Sequence, residues 1–165
     1  MANPLYGQNK ADNAIDNSKH EVLFIHDSKT LTAAQSGATV VVNAAAKAVT
    51  LPAAEAGLRY KVVFAVDTTD GAKINAASGD CFFGTLIVNS ATKTKSSAQS
   101  ISYATATGTV ASYDVLDFIH DSQTLAGKAG DMVEVIAVED KAWLDSGALM
   151  TDGNDPDAVA IINAS

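Results

Sequence analysis

Three groupings of side chains in this sequence have the makeup of chemical sites. His26-Asp27-Ser28, and again His120-Asp121-Ser122, contain the residue types of a nucleophilic hydrolase. Such a triad works only when its three side chains converge within hydrogen-bond reach. Both segments read as strand ends, where successive residues point to opposite faces. His26 and Ser28 would share a face yet stand about 6–7 Å apart at the usual rise per residue, too far for the imidazole to take the hydroxyl proton. Asp and Ser at these positions instead suit the turn that follows each strand, which their side chains cap well. The second grouping is the imidazole pair itself: His26 and His120 would make a metal site only if the two segments lay side by side, with rings within about 6 Å. The third, Asp152-Gly153-Asn154-Asp155-Pro156-Asp157, alternates oxygen donors around a glycine as calcium loops do, but it lacks the bidentate Glu of an EF-hand and reads as a solvated turn.

Other chemistry has no visible carrier. There is no phosphate-cradling glycine loop, no Gly-x-Ser-x-Gly elbow and no Cys-x-x-Cys pair. The paired carboxylates Asp67/Asp70 and Asp114/Asp117 fall where turns or strand edges are expected and read as solvated charges. The expectation is a non-enzymatic protein with no catalytic residue, metal or cofactor.

Composition narrows the class further. Of the formal charge of -8, residues 114–165 contribute two basic against eleven acidic side chains, whereas residues 1–113 hold nine basic and eight acidic. An acidic surface repels phosphate backbones, so nucleic acid is not an expected partner. Cys81 is the single cysteine, which rules out an intramolecular disulfide; beside Phe82 and Phe83 it reads as a small core hydrophobe. No apolar run approaches the roughly 20 residues that span a bilayer, and the N-terminal segment reads as neither secretion signal nor anchor. No membrane partner is expected.

The elements that must position these residues are strands. Leu58, Tyr60, Val62, Phe64 and Val66 alternate with Arg59, Lys61, Val63, Ala65 and Asp67, the period-two pattern of a half-buried strand. Comparable runs lie at Val22–His26, Thr39–Asn43, Ala48–Leu51, Phe82–Asn89, Ser100–Thr105, Thr109–Ile119, Met132–Glu139 and Trp143–Met150, punctuated by Gly, Asp and Ser turns. The single helical hint is one turn over Pro52–Gly57. The pattern predicts an all-β fold: a compact β-sandwich or β-barrel (β-tulip-like) of short antiparallel strands over residues 21–165, with a polar, Asn-rich N-terminal arm over residues 1–20. Few aromatics and much Ala and Val predict a thin core. An internal echo stands out: Phe24-Ile25-His26-Asp27-Ser28-Lys29-Thr30-Leu31 recurs as Phe118–Leu125 with one difference in eight positions. Each copy leads through a small-residue turn ending in Gly37 or Gly130 into a further strand, so the echo reads as a strand–turn–strand unit on two equivalent edges, or as a decayed duplication.

Leu31-Thr32-Ala33-Ala34-Gln35-Ser36-Gly37, followed by Val49–Tyr60, resembles a pattern recurrent in structural proteins of tailed bacteriophages. Gly130–Val135 with Lys141-Ala142-Trp143-Leu144-Asp145-Ser146-Gly147 resembles the closing hairpin of the same proteins, and Asn3-Pro4-Leu5-Tyr6-Gly7-Gln8-Asn9-Lys10 is similar to the opening of small head proteins from marine and cyanobacterial phages. The type most resembled is the capsid decoration, or cement, protein. That resemblance implies a virion protein on the outer capsid surface, a homo-oligomer (trimer) that binds the major capsid protein and stabilises contacts between its subunits. It implies a partner-binding arm, with Asn3, Pro4, Leu5, Tyr6, Gln8 and Asn9 as contacts and Leu5 and Tyr6 as anchors. The acidic C-terminal third would face solvent or basic shell patches. The alternative function is a tail- or head-attached carbohydrate-binding, host-recognition module, in which Tyr103, Tyr113 and Trp143 would stack on sugars.

Overall fold

The structure is a computed structural model that describes residues 21–68, 72–90, 96–102, 113–120, 124–125, 127–151 and 162–163. The arm over residues 1–20, with all six of its predicted contact residues, lies outside them, as do Asp70, Tyr103, Asp121–Gln123 and Asp152–Asp157. The described chain is all-β. Its strands form by the alternation that predicts them, but their direction differs from expectation, because in the first half of the chain successive strands change sheet instead of folding back as hairpins. β1 (Val22–Ile25) lies in one sheet and β2 (Lys29–Thr30) in the other; β3 (Thr39–Val42) returns to the first and β4 (Ala48–Thr50) to the second. β5 (Arg59–Phe64) and β6 (Lys73–Asn75) repeat the step. Each return brings the chain back in the same direction, so β1, β3 and β5 pair in parallel, as do β2, β4 and β6.

The second half completes both sheets. β7 (Cys81–Ser90) and β8 (Ser96–Ile101) join the first, β9 (Val115–Asp117) the second, and β10 (Ile119–His120) pairs only with β11 (Thr124–Leu125) as a separate hairpin. β12 (Met132–Glu139) and β13 (Ala142–Thr151) close the first sheet and β14 (Ile162–Asn163) extends the second. The orders are β1-β3-β5-β12-β13-β7-β8 and β14-β9-β6-β4-β2. The expected array of short antiparallel strands is thus corrected to two mixed sheets. The longest pairing, β7 with β13, is parallel along ten residues.

The inner faces share one hydrophobic cluster, which makes the arrangement a sandwich. Val40, Val62, Val133 and Leu86 face in from the seven-stranded sheet and Val49, Ile74 and Leu116 from the five-stranded one. Phe64 meets Phe118 edge-on at 4.8 Å between ring centroids, and Tyr60 tilts against Trp143 at 5.9 Å. Such pairs contribute beyond the area they bury. Cys81 is a buried free thiol, as expected. Pro52–Gly57 does not form the expected helical turn. Its chain reverses at Gly57, which has a positive φ of 96°, and Ala54 is held inward by its N–H donating to Asp80 Oδ2 at 2.7 Å. The 3-10 turn occurs instead at Ala33–Gln35, where the Thr32 N–H donates to Gln35 Oε1 at 3.0 Å.

The two echo copies occupy different environments. The first links β1 and β2, which are edge strands of the two sheets; the second runs from β9 into the β10–β11 hairpin. Phe24 is 66% exposed whereas Phe118 is fully buried. Equivalence returns downstream. Gly37 (φ 88°) donates its N–H to Arg59 O and Gly130 (φ 99°) to Phe64 O, the first and last residues of β5. The strands that follow, β3 and β12, then flank β5 on its two sides, one parallel and one antiparallel.

Candidate functional site

The residues singled out for chemistry have structural work. Ser28 Oγ accepts the Ala48 N–H at 3.0 Å, and Asp27 pairs with Lys47 Nζ at 3.3 Å, so Asp27-Ser28 ties the β1–β2 link to β4 instead of capping its own turn. His26 is exposed beside them, and the His120 side chain lies outside the described residues. Among the described residues, no three His, Cys, Asp or Glu side chains gather as metal ligands would. Two carboxylates read as solvated have specific partners. Asp67 accepts the Ala129 N–H at 2.9 Å and pairs with Lys128 Nζ at 3.2 Å, which holds its carboxyl below the usual range; Asp117 pairs with Lys73 Nζ at 3.3 Å. Asp131, buried, accepts the Lys128 and Met150 N–H groups at 2.8 and 2.7 Å through one oxygen, and burial outweighs these bonds in pushing its carboxyl up. Burial, with the charges of Asp80 and Glu139, also pushes the Cys81 thiol up, which favours the unreactive protonated form.

The aromatic candidates for sugar stacking are drawn inward. Trp143 is fully buried and Tyr113 packs half-buried against the core.

The register of the seven-stranded sheet assembles a feature that no single stretch of sequence contains. On its outer face, Phe24 lies beside Val41, Val41 beside Val63, and Val63 beside Met132. Met132 neighbours Ala148, Ala148 neighbours Ile87, and Ile87 neighbours Ala98. One unbroken apolar row therefore crosses all seven strands, about 29 Å at the usual inter-strand spacing. Phe24 at 66%, Ile87 at 46% and Met132 at 45% are among the most exposed large hydrophobics described. The adjoining row is polar across six strands, from Thr39 through Lys61, Glu134, Ser146 and Thr85 to Ser100. A shallow depression lined by Thr39, Arg59, Lys61 and Glu134 lies on the polar row. An apolar strip with a polar margin is the composition of a protein-binding patch.

The row ends at β1, an edge strand among the described residues. Thr39 N–H donates to Glu21 O and Asn43 N–H to Ile25 O, so the odd-numbered residues of β1 bond to β3 and the backbone groups of Val22 and Phe24 face outward. Edge strands usually carry charge, proline or a bulge against chance pairing. β1 carries Val22 and Phe24, both exposed, whereas the opposite edge, β8, reads Ser-Ser-Ala-Gln-Ser-Ile, polar except at Ala98 and its last residue.

Fold and face together define a mixed β-sandwich whose larger sheet presents an apolar strip on its outer face. No protein-family model, curated protein or solved structure matches the chain.

Proposed function

We propose that this chain is a virion structural protein of the capsid-decoration type, which binds the outer capsid surface through the outer face of its seven-stranded sheet and stabilises contacts between major capsid subunits. The observation that carries the docking reading is the apolar row from Phe24 to Ala98; the capsid address rests on the sequence resemblance. A decoration protein acts by mass action, since its binding free energy favours the assembled shell over separated subunits. Burying the exposed halves of Phe24, Met132 and Ile87 supplies about 1 kcal/mol each, roughly 3 kcal/mol per copy. That is weak alone and strong when repeated in a trimer, whose linked contacts slow release. On this reading the module is non-enzymatic, and residues 1–20, with Leu5 and Tyr6 as anchors, strap a neighbouring subunit.

The pair Met132→Lys and Ile87→Lys tests the face. Both side chains point to solvent, so the fold is retained, while the row gains two charges that docking would have to desolvate. Co-sedimentation with assembled shells of the major capsid protein is expected to weaken by about 30-fold or more, the equivalent of the roughly 2 kcal/mol that these two side chains supply. Unchanged shell occupancy would remove the face from the interface.

A further inference from the structure

Trp143 and Asp145 stand two residues apart on the inward face of β13, both with no exposed surface. The indole Nε1–H has no hydrogen-bond partner, and the carboxyl oxygens of Asp145 have none beyond its own backbone N–H. Buried polar groups are almost always paired, because leaving one unpaired costs its full desolvation. Two orphans side by side at the centre of a sheet are therefore a feature that the packing alone does not require.

Among the described residues, the surroundings of Asp145 supply no counter-charge. Its register partners are Val135 on β12 and Gly84 on β7, flanked by inward Val133, Ala137, Phe82 and Leu86. Beyond Val135 lies Tyr60, whose hydroxyl donates to Thr32 O; on β7 the titratable group is the buried thiol Cys81. The facing sheet turns Val49, Ile74 and Leu116 inward, and its Lys73 and Asp117 flank the inward pair Ile74 and Leu116 along the strands and bond to each other. Buried Asp80 and Asp131 are committed to the backbone N–H groups of Ala54, Lys128 and Met150. In a site like this a carboxylic acid is tolerated and a carboxylate is not.

We infer that Asp145 and Trp143 form a pH-sensitive lock in the sandwich core: the sheet is held tight while Asp145 is a neutral acid, and its ionisation loosens β7, β13 and β12 and draws the unpaired indole N–H toward the carboxylate. Burial pushes the Asp145 carboxyl from 3.8 up to about 7, opposed only by its own backbone N–H. Between those values the unfolded chain has released a proton that the folded chain still holds. Raising the pH through that window therefore favours the unfolded state, and the loss ends once the folded form has ionised too. The lock stands independently of the docking face.

Trp143 is the only tryptophan, so its fluorescence reports on Asp145 directly. Wild type and Asp145→Asn are compared by emission of the folded protein and by denaturant midpoint across the pH range. In wild type the emission is expected to change with a midpoint near 7, and the folding constant to fall by up to about tenfold per pH unit between about pH 4 and 7. The emission change should vanish in Asp145→Asn and the fall in the folding constant should shrink to what groups common to both proteins, Asp131 among them, contribute, which the comparison subtracts. Identical pH profiles would overturn the proposal. Should Asp145→Asn fail to fold, carboxyl carbon NMR of the wild type decides: one aspartate titrating near 7 supports the lock, and none titrating above about 5 overturns it.

Discussion

Gly84→Val is expected to leave the chain without its native sheet, giving no cooperative unfolding transition, and Gly84→Ala to cost about 4 kcal/mol or more. Gly84 lies in the middle of β7 with a positive φ of 143°, which a side-chain-bearing residue seldom adopts. A Cβ there would also be driven into the carbonyl oxygen of Asp145 on the neighbouring strand. The obstacle is backbone, so no rotamer change relieves it. Relief requires β7 and β13 to part, along the pairing that holds ten residues of each. Equilibrium denaturation followed by circular dichroism reads the result, and a Gly84→Ala protein as stable as wild type would mean that the two strands are not packed this closely.

Trp143→Ala is expected to destabilise the sandwich by about 3–5 kcal/mol, a large part of the stability of a domain this size. The side chain is the largest in the core, fully buried, and stacked at an angle on Tyr60. In a core built mostly from Val, Leu and Ala, nothing large enough is at hand to fill the space. Trp143→Phe, which keeps the ring contact with Tyr60 and removes the orphan N–H, should recover much of the loss. Urea midpoints of the three proteins measure this. A Trp143→Ala cost under about 1 kcal/mol would place the indole at a yielding surface, where sugar stacking would again be open.

Much of the architecture is legible along the chain, and the reason is local. β12 spans Met132–Glu139, the run that period-two alternation marks out, and the buried set Tyr60, Val62 and Phe64 of β5 is the one its pattern predicts. Strands of two or three residues, such as Lys29–Thr30 and Lys73–Asn75, are too short to show a period. Strand direction is not legible either, because the three-residue link His26–Ser28 looks the same whether it reverses the chain or carries it across the core. The echo shows the limit most sharply: identical side chains at Phe24 and Phe118 end outside and inside because the strands around them, not the octapeptide, decide the face.

The apolar row was hidden for a related reason. It runs across strands, so its members are scattered over the sequence, and only single anomalies betray it: Val63 among the outward Arg59, Lys61 and Ala65, or Ile87 between outward Thr85 and Asn89. Asp145 left a similar trace, as the one acidic residue in the inward series Trp143, Asp145, Gly147 and Leu149. Candidate sites sought as clusters of chemical residue types led to His26, which is exposed, and to Asp27 and Ser28, which serve as structural ties. Exceptions to the two-face pattern were the better signal.

A reconstruction of purified particles that carry this chain tests the account most directly. The expected result is density for the sandwich on the outer shell, with Phe24, Met132 and Ile87 against major capsid subunits and residues 1–20 lying along a neighbouring subunit. Density in the neck or tail, or on the shell with that row turned to solvent, would contradict it.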